Sequence, residues 1–451
     1  MHPAATSGSI GHAKLDRDAL VAWYRHNRAR SRAIFDLLTD AAYYAQPIAL
    51  RHPIVFYEGH LPAFSFNTLI KRALGGASID ARLESLFARG IDPSDESAAA
   101  NPELQWPSRQ VVEQFAAEAD ARVLDALGRE DLDRPGHALL DRGEAAFAIL
   151  EHEATHQETL LYMWHRLPFD RKRRPADYRP RVGGDAPRQE LIAVPRGSAT
   201  LGVDRDTIPF GWDNEFAGTS AEVGAFAIER HDVTNGAFRE FVEAGGYDTP
   251  RWWTPDDWAW VEQERVRHPL FWEAHDGNWY WRGMFELIPL PPAWPVYVSQ
   301  AEASAYARWQ DARLPTEAEF QRAAFGAPDG RERKHPWGDA EPSPQHGVFD
   351  FASWDPEPAG SHPAGASAWG VEDLVGNGWE WTGTVFAPFA GFRAMASYPE
   401  YSADFFDGEH AVMKGASPAT ARELLRPSFR NWFRTRYPYV YATFRCVKEV
   451  R

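Results

Sequence analysis

The chain has 451 residues and a formal net charge of -16, enough length for two or three domains with cores of their own. That acidity disfavours a nucleic-acid partner and suits a small cationic ligand. A single cysteine, Cys446, excludes a disulfide framework and any cysteine-rich zinc or iron–sulfur site, which fits a reducing cytoplasm, and the lack of an 18-residue apolar run or a charged-then-apolar leader predicts a soluble protein with no membrane partner.

Residues 1–15 are small and polar and are expected to be disordered. From Asp16, Leu20, Trp23, Ile34, Phe35 and Leu38 recur at helical spacing, which predicts a first long helix ending before Gln46-Pro47. A second helical segment is predicted from about Arg51 to Leu74, stopped by Gly75-Gly76. Inside it Pro62 cannot donate to the carbonyl four residues back, so a kink is expected beside His60. Prolines 93, 102 and 107 mark residues 92–107 as a loop. Val111, Phe115, Val123, Leu124 and Leu127 then mark a third helix.

The fourth helix, Asp141 to Leu167, carries the chemistry. Asp141 and Glu144 have the spacing of a capping box, and Pro168 closes the far end. Within it runs His152-Glu153-Ala154-Thr155-His156-Gln157-Glu158. Two histidines four apart share one helical face and can bind one metal ion, and neutral imidazole suits zinc, copper or iron.

The string contains the H-E-x-x-H of zinc peptidases, the E-x-x-H of di-iron bundles and a wider H-x-x-x-H-x-E. The extended peptidase form fails, because Thr159 and Tyr162 occupy its glycine and histidine positions. No second E-x-x-H stands on another helix. Two histidines at chance spacing remain the bland alternative. Four helices of these lengths make a bundle over residues 16–168, and bundles build metal sites from facing helices. His60 with His152 and His156 is then a geometrically sensible triad, although a lone core histidine is the commoner reading of His60 by itself.

Residues 169–190 read as a linker: the basic run Arg171 to Arg174 and the prolines and glycines after it predict a solvated tether. From 191 to 451 the texture changes, with more glycine, proline and tryptophan and short strand-like runs such as Leu191–Val194 and Tyr297–Ser299. Amphipathic helices are predicted at Gly236 to Ala244, from about Ser299 through Trp309, and after Leu314-Pro315-Thr316. The whole is an α+β chain. Its second half must be held by aromatic packing, since no disulfide is available.

Val233-Thr234-Asn235, Leu314 to Glu319, Pro336-Trp337-Gly338-Asp339, Gly376 to Thr382 and Lys414-Gly415-Ala416-Ser417 occur in the order of the signature segments of the formylglycine-generating-enzyme, or sulfatase-modifying-factor, domain, which has a C-type-lectin-like fold. Formylglycine generators use paired cysteines, so one cysteine argues against that activity. Joined to a DinB-like four-helix bundle with this histidine pattern, the domain resembles the ergothioneine-type sulfoxide synthases, and Phe210 to Glu215 resembles their loop at the start of the second domain.

That resemblance implies a mononuclear non-haem Fe(II) held by His60, His152 and His156, with O2 and hercynine as co-substrates. Asn431 and Trp432 resemble the hercynine-binding segment, and Thr155 stands where a glutamine often contacts the imidazole. The family commonly has tyrosines where Phe386 and Phe389 stand here, and an acid that holds the thiol donor's amine where Phe433 stands. With these departures the chain resembles the selenoneine synthase subgroup, which joins a selenosugar to hercynine. Glu158, Trp212, Asp213 and Glu215 are expected around the ligands or as the pocket frame. The acid or base at the imidazole C2 is unassigned. The competing expectations are C–S bond formation with a thiol donor, and a non-catalytic binding module whose histidines are structural.

Overall fold

A computed structural model describes residues 15–88 and 105–450; the disorder expected for the N-terminus and most of the 92–107 loop fall outside them. Helix α1 (Arg17–Asp36) begins where the Asp16 carboxylate accepts from the Ala19 amide, and it buries Leu20, Tyr24, Asn27, Arg28, Ser31, Ile34 and Phe35 as one stripe. It stops at Asp36, well short of the end predicted before Gln46-Pro47. Leu38 bridges to Lys172 and the Thr39 amide donates to Arg171, so pairing with the later chain replaces further helix.

Helix α2 (Ile54–Ser65) is buried along nearly its whole length and runs on as a wider π-helical segment, Phe66–Ala73. Pro62 lies inside it, and one turn later the Phe66 amide is shared between the Ala63 and Pro62 carbonyls, where the winding loosens. The predicted single kinked helix is thus two windings in series. A short α3 (Ala81–Leu86), capped by Asp80, escaped sequence reading, and α4 is Arg109–Arg129.

Helix α5 (Glu144–Arg166) follows a 3-10 turn at Asp141–Gly143, with Gly143 in the left-handed region at φ 72°. The expected capping box does not form. Asp141 accepts from the Gly136 amide, and Glu144 accepts from the Ser397 amide and from Arg205. Tertiary partners have taken both carboxylates.

Residues 169–181 are not the solvated tether expected of them, whereas 182–190 are largely exposed. Lys172 is buried beside the Phe169 ring, where burial pulls its ammonium down to about 7. Tyr178 donates to Asp355 at 2.6 Å, and Arg174 and Arg181 pair with Glu286 and Glu357. The segment is strapped to the second half of the chain.

That half holds two main sheets. Strands β1 (Leu191–Val194), β4 (Phe226–Glu229) and β12 (Val447–Glu449) form one antiparallel set in the order β1-β4-β12, and β10 (Asn431–Arg434), β9 (His410–Ala416), β8 (Gly378–Val385) and β11 (Ala442–Thr443) form the other in that order. A hairpin of β2 (Gly197–Leu201) and β3 (Thr219–Val223) and a meander of β5 (Trp272–His275), β6 (Asn278–Arg282) and β7 (Leu287–Pro289) complete the strands. Tyr297–Ser299 is extended but outside any ladder, with the Val298 amide donating to Ala442.

Helices α6 (Asn235–Glu243), α8 (Gln300–Trp309) and α9 (Glu317–Phe325) lie close to their predicted positions, whereas α7 (Pro255–Gln263) was not foreseen. Capping explains the first three: Thr234 caps α6, and Ser299 with Glu302 and Thr316 with Glu319 form capping boxes. Trp272, Trp281, Trp294 and Trp381 are fully buried. One apolar cluster runs from Phe56, Tyr57 and Trp164 of the bundle into Trp212, Trp379 and Trp381 without a break. The two halves therefore share a core, and what lies at their seam is held from both sides.

Candidate metal centre

His60 projects from α2, and His152 and His156 from α5. One ring nitrogen of each lies within 4.8 Å of those of the other two, and all three residues are buried. The His60 Nδ1 is hydrogen-bonded to the Phe87 carbonyl at 2.7 Å and the His156 Nδ1 to the His152 carbonyl at 2.9 Å. A donating Nδ1–H fixes the tautomer and leaves Nε2 as a lone-pair donor. The Nε2 atoms of His60 and His156 and both ring nitrogens of His152 are buried without a hydrogen-bond partner.

Burial pulls the His60 imidazole down to about 4 and holds His152 and His156 well below the ordinary range. All three are neutral and ligand-competent at neutral pH. Four buried nitrogens without partners are costly in a protein interior, and a metal ion converging on them would satisfy one on each ring. The residues fit the ion. Phe64 stacks on His152 at 3.5 Å between centroids and Phe56 on His60 at 4.9 Å, so rings wedge two of the three imidazoles.

Glu153 decides against the peptidase reading. It faces α1, where its Oε1 accepts from Arg28 at 2.9 Å and Ser31 at 2.6 Å, and Arg28 pairs in turn with Asp120 of α4. A carboxylate spent on an interhelical pair cannot serve as a general base at the metal. Glu153→Gln is expected to keep bound metal and activity while costing about 1–3 kcal/mol of stability through the weakened buried pair. Metal content and a denaturant melt check it, and loss of activity with stability intact would refute this placement.

A cavity of about 150 Å³ opens onto His152 and His156. Thr155, Glu158 and Tyr162 line it from α5, Asn431, Trp432 and Phe433 from β10, and Tyr398 and Tyr401 from the long loop between β8 and β9. The Glu158 carboxylate accepts from Trp379 (2.8 Å), Ser417 (2.7 Å) and Thr420 (2.9 Å). It joins the metal-bearing helix to the second half of the chain and spends those hydrogen bonds on no histidine.

Two family models match the two halves: the DinB superfamily over residues 24–160, and the sulfatase-modifying factor enzyme 1-like domain over residues 180–450. The hercynine oxygenase of Mycolicibacterium smegmatis is 35% identical over 87% of this chain and 90% of its own length. The chain belongs to the ergothioneine-type sulfoxide synthase family. The hercynine oxygenase of Mycobacterium tuberculosis is 33% identical over 90% of this chain and 92% of its own. The ergothioneine biosynthesis protein 1 of Neurospora crassa is 26% identical, and the chain covers 55% of that longer protein.

The sulfoxide-synthase likeness singled out two phenylalanines that do not reach the cavity wall. Phe386 lies behind Trp432, stacked on it at 4.3 Å and 4°. Phe389 lies under the Arg430 guanidinium at 4.2 Å. Thr155 does line the cavity, with its hydroxyl donating back to the His152 carbonyl. Phe433 stacks on Tyr437, and Asn431 accepts the Trp432 amide, which leaves its own NH2 free to donate into the cavity.

Trp212, Asp213 and Glu215 are buried away from that wall and frame it. Asp213 accepts from the Met395 amide and Ser402, Trp212 stacks on Tyr401 at 3.9 Å, and Glu215 holds Arg426 and Ser428. Together they fix the loop that carries Tyr398 and Tyr401. Sequence reading missed both tyrosines. Tyr398 stands 5.9 Å from His152 and 5.2 Å from Phe64 between ring centroids, yet it sits in an irregular segment with no motif or periodicity to announce it.

Proposed function

We propose that this member of the sulfoxide synthase family is a non-haem Fe(II), O2-dependent synthase that joins the imidazole C2 of hercynine to the selenium of a selenosugar. The observation that carries the reading is the aromatic cavity of the second half opening onto two of three buried, unpartnered imidazoles. The printed names of the relatives supply hercynine. Selenium is inferred from Phe433 on the cavity wall, and from Phe386 and Phe389 behind it, standing where the sequence resemblance expects the donor-handling side chains of thiol users.

Iron bound by His60, His152 and His156 would supply O2 activation and open coordination positions. The chain does the rest. Three neutral ligands leave the ion's charge uncompensated, which favours an anionic selenolate beside it. Trp432 and Tyr401, whose rings stand 5.1 Å apart and edge-on, line the cavity with aromatic surface against which a trimethylammonium would pack, and the Asn431 amide on the same wall would meet a carboxylate. Replacing C2–H and Se–H by a C–Se bond releases two protons and two electrons, which reduce one O2 to H2O2.

The test loads the protein with Fe(II) under argon, adds hercynine and a selenosugar selenolate, and admits air. A hercynine–selenosugar adduct is expected by mass spectrometry. No selenium adduct, with efficient reaction of cysteine or γ-glutamylcysteine, would discard selenium in favour of a thiol donor, and no O2 uptake with any donor would leave a binding module. Trp432→Ala is expected to weaken hercynine binding by roughly tenfold, the worth of about 1–2 kcal/mol of desolvated cation–π contact. Calorimetry on the anaerobic protein reads that loss directly.

A further inference from the structure

Three cations crowd the far end of α5, where the chain leaves the bundle. Arg166 stands in the last turn of that helix, Lys172 follows the 3-10 turn Phe169–Arg171, and Arg282 ends β6. The Lys172 Nζ lies 5.3 Å and the Arg282 Cζ 4.6 Å from the centroid of the Phe169 ring. Their charges act on one another. Burial, then Arg282 and Arg166, draws the Lys172 ammonium down to about 7, and burial with Arg282 draws Arg166 down to about 10.

Little negative charge answers them. Among the described residues Glu273 alone forms an ion pair with any of the three, with Arg282 at 2.8 Å. Asp355 faces the same corner, but its carboxylate accepts from Tyr178, Trp281 and the Met284 amide. His165 adds no charge of its own. Burial and the neighbouring Lys172 hold it well below the ordinary range, and its ring nitrogens contact the Arg282 carbonyl at 2.5 Å and the Tyr441 hydroxyl at 3.2 Å.

The donors divide unevenly. Arg282 gives Nη1 to Glu273 and Nη2 to the Leu167 carbonyl at 2.9 Å, and Arg166 gives Nη1 to the Leu270 carbonyl at 3.4 Å. The Arg282 Nε and the Lys172 Nζ are buried with no hydrogen-bond partner, and Lys172 as a whole is 6% exposed. An ammonium enclosed beside two guanidinium groups without an acceptor is a heavy burden on a fold. A methionine would fill the same space without it.

We propose that this corner is an anion site, and that its ligand is a small monovalent anion, chloride by its chemistry, accepting from the Lys172 Nζ and the Arg282 Nε while Arg166 adds charge. The donors set the size. A carboxylate or phosphate is gripped best by two parallel N–H groups on one edge of a guanidinium, and both outer nitrogens of Arg282 are already committed. A lone Nε–H and an ammonium are single-point donors, which suit a spherical acceptor. The anion ties the end of α5, the 169–181 strap and the β5–β7 meander, three elements that like charge would otherwise press apart. It belongs to the clamp between the two halves and stands whether or not the synthase reading does.

The test follows melts of the full iron-loaded chain under argon in halide-free gluconate buffer, with chloride and phosphate as separate titrants. The parent is expected to gain about 3 °C by about 100 mM chloride along a saturating curve, the scale for a ligand well above its Kd in a chain of this length. Lys172→Met is expected to show none of that gain and to melt no lower than the parent in gluconate. Equal gains in parent and variant would assign the effect to the metal or to screening and overturn the site. A parent indifferent to chloride, or stabilised by phosphate alone, would overturn it too. Should the variant not fold, crystals of the unsubstituted protein soaked in bromide decide. An anomalous peak at hydrogen-bond distance from the Lys172 Nζ is the expected result, and bromide found only elsewhere refutes the assignment.

Discussion

His156→Ala is expected to abolish iron binding, taking metal content from about one ion per chain to under a tenth, and to lower turnover by roughly 10³-fold or more, since a Lewis-acidic metal supplies several kcal/mol of barrier reduction. The His156 Nε2 is one of the buried nitrogens with no partner, and its Nδ1 is already committed to the His152 carbonyl. Without metal, the imidazole therefore burdens the fold. The metal-free variant should melt no lower than the metal-free parent, because alanine removes a desolvated polar group along with the packing of one ring. Iron analysis and paired melts of both metal-free proteins check this. A structural histidine would give the opposite pattern, with a large drop in melting temperature and unchanged iron.

The second large effect is expected at the seam. Arg426 reaches from the second half to Glu151 on α5 at 2.7 and 2.9 Å and to Glu215 at 2.6 and 2.8 Å, and Ser428 adds a hydrogen bond to Glu215. Burial would raise the Glu215 carboxyl, yet Arg426, Ser428 and the Trp212 amide hold it below the usual carboxylate range. Arg426→Met removes the cation between two buried acids and is expected to cost about 3–5 kcal/mol, the scale for breaking a buried pair from one side. The loss should reach the site as well, because Glu215 holds the turn at Trp212 and Asp213 on that turn anchors the loop that carries Tyr398 and Tyr401. Urea melts give the stability, and hercynine calorimetry gives the site. Adding Glu215→Gln should recover part of both, and a double variant no better than the single would refute the proposed coupling.

The Glu158 carboxylate and the Arg426 triad perform related tasks at two heights of α5. Each ties the helix that presents His152 and His156 to the domain that supplies the cavity wall, so metal and pocket are held in one frame. Preorganised ligands need such outer partners, because an imidazole free to rotate loses both tautomer and direction.

Local spacing was enough to read the four long bundle helices to within their ends, the capped helices of the second half and the His152–His156 pair, while His60 entered as a ligand through the bundle reading and the family resemblance. Two histidines four residues apart on a helix must share a face, and the ordered segments from Val233 to Ser417 specify their domain through turn and cap residues that act within a few positions. Where local rules competed with distant partners, they lost. The box at Asp141 and Glu144 dissolved because Ser397 and Arg205 offered Glu144 a better place, α1 gave way after Asp36 to the pairing of Leu38 and Thr39 with Lys172 and Arg171, and the basic linker was captured by Asp355, Glu286 and Glu357.

The sequence by itself determined the two-part architecture and the pair His152 and His156 on one helical face, and the structure brought His60 to them. Only the tertiary structure decided that Glu153 turns away to Arg28, that Glu158 crosses to Trp379, that Phe386 and Phe389 stay behind the wall, and that Tyr398 stands beside His152. The reason is range. Helical periodicity fixes which side chains share a face within one segment, but which carboxylate finds a donor and which ring meets the metal depend on groups more than 100 residues away, brought together when the two halves close on one core.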